Sequence, residues 1–99
     1  MTKIKFYLPN KDNQGKEINP DKIINSLVDI TGGLTIIPSI GYWKNQEGKL
    51  IQEETKIIEI SVDDYIQAKE AVINLAYQFK HEFNQEAVML EFQGEAVFI

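Results

Sequence analysis

A chain of 99 residues, 43% hydrophobic and 25% charged, has room for one domain around one core. It contains no cysteine, which excludes disulfides, thiolate chemistry, zinc ribbons and iron–sulfur clusters. The net charge is −5 and all ten basic residues are lysine, so the arginine fork that grips phosphate and guanine is missing and direct nucleic-acid binding is not expected.

Lys3-Ile4-Lys5-Phe6-Tyr7-Leu8 alternates strictly, which predicts a strand with Ile4, Phe6 and Leu8 on one side and Lys3, Lys5 and Tyr7 on the other. Pro9 ends it, and Asn10 to Lys16 is rich in turn formers. Asn19-Pro20-Asp21 opens a helix with a capping residue, a first-position proline and a carboxylate on the dipole. Ile23, Ile24, Leu27 and Val28 give that helix an apolar stripe, and Thr31-Gly32-Gly33 stops it.

Leu34 to Trp43 reads as the second strand. Pro38 has no N–H for a ladder, so this strand belongs at an edge, and Pro38 and Gly41 are candidate bulge positions. Lys44 to Lys49 forms a turn, and Leu50 to Ile60 is the third strand, ending in Ile57, Ile58 and Ile60. Ser61 or Asp63 is the expected cap of a second helix reaching about Phe83, with Ala68, Val72, Leu75, Ala76, Phe79 and Phe83 along one side. Glu86 to Phe92 is expected as the fourth strand, and Glu95 to Ile99 as a short fifth one after the Gln93-Gly94 turn. No signal-peptide core follows Met1, and no apolar run approaches the roughly 18–20 residues of a membrane span, so the expected location is cytoplasmic.

Strand, helix, strand, turn, strand, helix, strand is the split β-α-β repeat of a ferredoxin-like α+β domain. Right-handed crossovers put both helices on one face of an antiparallel sheet. Alternation then leaves Tyr7, Ile37, Trp43, Ile57, Glu59, Met89 and Glu91 on the face without helices. An apolar patch there above roughly 300–600 Å² marks an interaction site. These seven residues are the candidate ligand or interface positions.

Chemistry is sparse. His81 is the only histidine and sits in the last turn of the second helix, where it complements the dipole. Glu53 and Glu59 share a strand face but lie roughly 20 Å apart. Glu59 and Glu91 are candidates to approach across a neighbouring strand, where one pKa would rise, unless Lys5 neutralises them. No phosphate loop, nucleophile elbow or cofactor motif is present, so no cofactor or metal is expected.

A spaced series runs through the chain: Gly33-Leu34-Thr35, Gly41-Tyr42-Trp43, Gly48, Glu54, Lys56-Ile57-Ile58, Tyr77, Phe83 and Gln85-Glu86-Ala87-Val88-Met89. From about Phe6 to Phe98 it resembles an uncharacterised bacterial family of small ferredoxin-like proteins, a domain of unknown function with Gly-Leu-Thr, Gly-x-Trp, Glu-x-x-Lys and Gln-Glu-Ser/Ala-Val motifs. The resemblance implies the fold and no particular activity. Three functions are compatible with this reading. The favoured one is a non-catalytic binding or assembly module, a homodimer joined through the helix-free sheet face. The second is a phage- or plasmid-encoded inhibitor that occupies a host protein or sequesters a small signalling molecule. The third is a small dimeric enzyme that uses Glu59 or Glu91.

Overall fold

The computed structural model describes residues 1–99. Strands β1 (Thr2–Pro9), β2 (Thr35–Lys44), β3 (Leu50–Val62), β4 (Met89–Phe92) and β5 (Glu95–Phe98) form one antiparallel sheet in the order β2-β3-β1-β4-β5. Helices α1 (Asp21–Thr31) and α2 (Tyr65–Glu82) follow β1 and β3. This is the ferredoxin-like α+β arrangement, with β5 added beside β4.

The core forms where the alternating strands meet the helical stripes. Ile4, Phe6, Leu8, Ile58, Ile60, Val88, Leu90 and Phe92 are all buried beneath the helices. Ile23 and Leu27 of α1 and Ala68, Val72, Leu75, Ala76 and Phe79 of α2 close over them. No polar or charged residue is buried, so the fold rests on apolar packing and backbone ladders.

The helix ends differ in detail from expectation. Asn19 Oδ1 accepts from the Asp21 N–H at 3.0 Å, an Asx turn that leads into α1 from outside it. Gly32 closes α1 in the left-handed conformation at φ 83°, its N–H donating to the Val28 carbonyl. The cap of α2 is Asp64, which accepts from the Gln67 N–H at 3.1 Å, and neither Ser61 nor Asp63. Ser61 cannot serve because β3 runs on to Val62 and Ser61 is paired with Lys3. The fourth strand starts at Met89, not Glu86, because the short loop 85–88 crosses from α2 before it reaches β1. Val88 instead exchanges two backbone hydrogen bonds with Ile99 at 3.1 and 2.9 Å.

β2 is an edge strand, and its register with β3 is unbroken from Thr35↔Glu59 to Lys44↔Leu50. Neither Pro38 nor Gly41 introduces a bulge. β1 reaches β3 only as far as Pro9↔Thr55, so residues 50–54 of β3 have β2 as their only strand neighbour. The β2–β3 hairpin therefore overhangs the body as a two-stranded ribbon. Its turn is built by Asn45, whose Oδ1 accepts from the Glu47 and Lys49 N–H groups at 3.0 Å each, with Gly48 at φ 78°. The loop after β1 repeats this device: Asp12 Oδ1 accepts from Gln14 and Lys16 at 2.9 Å, with Gly15 at φ 80°. That loop is fastened to the hairpin by the Asn10 N–H on the Glu54 carbonyl (3.0 Å) and by Lys56 Nζ on Asn10 Oδ1 (2.6 Å).

Candidate functional site

The helix-free face carries all seven candidate positions. Register aligns them in rows across the sheet. Ile37, Ile57 and Tyr7 form one row, and Thr35, Glu59, Lys5, Glu91 and Ala96 another. Nearer the overhang, Ser39 faces Thr55, Gly41 faces Glu53 and Trp43 faces Ile51. Tyr7, Ile57, Glu59, Met89 and Glu91 are half-buried, whereas Ile37 and Trp43 are 43% and 51% exposed.

Glu59 and Glu91, the candidates for a carboxylate pair unless Lys5 neutralised them, do not form one. The order β3-β1-β4 sets Lys5 between Glu59 and Glu91. Lys3 takes Glu59 at 3.1 Å, and Lys5 lies 3.7 Å from Glu91. Glu91 also accepts the Tyr7 hydroxyl at 3.0 Å. Partial burial, the hydrogen bond to Glu91 and the charge of Glu91 together hold the Tyr7 phenol above its ordinary pKa of 10.0. The raised folded value means that Tyr7 contributes stability at neutral pH which is lost as pH climbs through that value. Absorbance titration should therefore show a phenolate transition for Tyr7 above its ordinary value. Tyr7→Phe is expected to delete it and Glu91→Gln to move it down. A late transition that survives Tyr7→Phe would contradict this geometry.

Between these rows and the overhang lies an open groove of about 680 Å³. Its floor is Tyr7, Thr55, Ile57 and Met89, and Trp43 and Gly41 stand at the hairpin end. Loop 85–87 and Phe98 form the opposite wall. Ser39 and Thr55 hydroxyls share a 2.6 Å hydrogen bond on the floor. Past Trp43 a second cavity of about 520 Å³ opens between the hairpin and the loop after β1, lined mainly by polar side chains. Trp43, Glu53 and Asn13 border both spaces. Glu53 and Glu86 line the groove and take part in none of the three ion pairs, whereas Lys3 and Lys5 are both engaged.

The sequence reading missed Asn13, Ala87 and Phe98 as groove residues. Phe98 had a signal, because alternation in β5 puts it opposite Met89. Asn13 had none, since the approach of its loop to the hairpin depends on tertiary contacts. His81 is exposed in the last turn of α2, and no three His, Cys, Asp or Glu side chains converge as metal ligands. No helix is long and apolar enough to cross a membrane.

The family model described as "Protein of unknown function (DUF3574)" matches residues 11–98, which takes in every groove element except β1. The chain belongs to this family. No curated protein matches the DUF3574 chain in sequence. Among solved structures it is similar to a phage SAM lyase in complex with S-methyl-5′-thioadenosine, with a TM-score of 0.69 and 13% identity, over 99% of this chain and 88% of that one. A phage SAM lyase in the apo state aligns with a TM-score of 0.66 and 13% identity, over 99% and 87% of the two chains. At that identity the likeness establishes a shared fold for the DUF3574 chain.

Proposed function

We propose that this protein is a binding module whose helix-free sheet face holds a small uncharged or cationic ligand of the thionucleoside type. The observation that carries this reading is the groove itself. Its volume falls within the roughly 300–1,000 Å³ of small-molecule sites, and its floor is mostly apolar with a few polar groups converging on it. Its charged groups outside ion pairs are carboxylates, which disfavour a phosphate and favour a donor or a cation. The shared fold with a lyase solved with S-methyl-5′-thioadenosine supports the ligand class. The engagement of Glu59 and Glu91 by lysines favours binding over acid–base catalysis. Small size and acidity also fit a phage-encoded sequestering protein.

Calorimetry with S-methyl-5′-thioadenosine and S-adenosylmethionine tests the proposal, with adenosine 5′-monophosphate as the disfavoured comparison. Saturable heat is expected for the first two. Met89→Glu, which puts a charge against the neutral thioether on the floor, should weaken S-methyl-5′-thioadenosine at least tenfold, about 1.4 kcal/mol. The absence of heat with both ligands at millimolar concentration sinks the reading.

A second reading, assembly of copies through the same face, is supported by the exposure of Ile37, Trp43 and Phe98. Light scattering on eluting protein decides it. A strict monomer at high concentration excludes the homodimer.

A further inference from the structure

Gly41 lies in mid-strand with no backbone reason to be glycine. It is not among the residues with positive φ, and its register with Glu53 is regular. Nor does the fold crowd it. A Cβ built there meets only the Glu53 carbonyl oxygen, at 3.9 Å, which is ordinary van der Waals contact. Glycine inside a strand weakens it and often marks a place where a ligand or another backbone comes close. The missing side chain would project from the helix-free face between Ser39 and Trp43, into the mouth of the groove. The chain thus keeps a bare strip of backbone beside a half-exposed indole, with a carboxylate directly opposite.

We infer that Gly41, Trp43 and Glu53 form the seat of a flat aromatic heterocycle, the base end of a nucleoside without phosphate. This rests on the reading of the sheet face as a ligand site and adds where the ligand's ring lies. The ring covers Gly41, where any Cβ would displace it. Trp43 supplies an aromatic surface for it to stack on. Glu53 accepts from the ring's exocyclic amine or from a ribose hydroxyl. Trp43 also stands at the junction of the two cavities. A ligand seated there sends its apolar tail towards Met89 and its hydroxylated part towards the polar cavity.

Trp43 is the only tryptophan, so indole emission reports this position alone. Adenosine and S-methyl-5′-thioadenosine should change that emission saturably, and by the same constant that calorimetry gives. Gly41→Val is the decisive variant. Valine suits a strand and its Cβ meets no clash, so the melting temperature should hold or rise while affinity for adenosine falls at least tenfold. Trp43→Ala should lose affinity similarly and Trp43→Phe should restore most of it, both followed by calorimetry. Met89→Glu should weaken S-methyl-5′-thioadenosine more than adenosine, because it touches the tail and not the ring.

If S-methyl-5′-thioadenosine binds by calorimetry while indole emission is unchanged and Gly41→Val binds normally, the seat is refuted and the sheet-face reading stands. If adenosine leaves the emission of the intact chain unchanged, the seat is refuted as well. If Gly41→Val dissociates an oligomer and leaves adenosine affinity intact, the bare strip serves another copy's backbone and the inference fails. If adenosine binds with the predicted dependence on Gly41 while the thioether brings no additional affinity, the seat holds and the thionucleoside reading fails.

Discussion

Phe79→Ala is expected to destabilise the protein by about 3–5 kcal/mol, a large part of the roughly 5–15 kcal/mol available to a domain of this size. Phe79 is 1% exposed on the inner side of α2. Its ring meets Phe6 of the central strand edge-on, at 5.9 Å and 83°, and Phe83 at 4.9 Å. Truncation removes both contacts and leaves a cavity between helix and sheet that the rigid strands cannot collapse to fill. Urea unfolding should show a lower midpoint with an unchanged slope. A double-mutant cycle with Phe6→Ala should return a coupling of about 0.5–1.5 kcal/mol for the aromatic pair. A loss below about 1 kcal/mol for Phe79→Ala would mean that α2 is not seated as described.

Leu90→Asp and Met89→Asp should part company completely. The two residues are neighbours in β4 and point to opposite faces. Leu90 is fully buried between Phe6 and Val97, its partners in the flanking strands. A carboxylate there has no partner and no water, and the expected loss exceeds about 4 kcal/mol, enough to unfold much of the population at room temperature. Met89 is half-buried on the floor of an open groove, and its carboxylate variant stays hydrated, so the expected change is within about 1 kcal/mol. Circular dichroism melts of the pair test the assignment of faces directly. Equal destabilisation of both would show that both sides of the sheet are covered.

That assignment was the most legible part of the sequence. Period-two alternation needs no knowledge of neighbours, so Ile4, Phe6 and Leu8 could be sorted from Lys3, Lys5 and Tyr7 on local pattern alone. The helical stripe of α2 was equally clear because its apolar residues recur at three and four. Strand ends were less clear. Glu86 looked like strand because the residues after it alternate, but pairing is decided by where β1 ends and where Ile99 lies. Strand order was not legible from alternation either. Glu59 and Glu91 share a face, and only the insertion of β1 between their strands shows that Lys5 separates them. The site was half visible. Tyr7, Trp43, Ile57 and Met89 follow from alternation, whereas the overhang of the hairpin and the approach of Asn13 follow from the unequal lengths of β1 and β3. Gly41 was read as a possible kink. Its flat, uncrowded backbone makes it an opening.

The place of β1 in the sheet bears on how the chain is made. Ile4 pairs with Ile60 on one side and with Phe92 on the other. A growing chain therefore displays the apolar row of β1 long before either partner has left the ribosome, and the last ladder closes only when β4 and β5 have been translated. Such distant pairings fold slowly for their size. The nascent strand must be kept from strangers in the meantime, and the lysines that alternate with its apolar residues are the solubilising guard it carries for that wait.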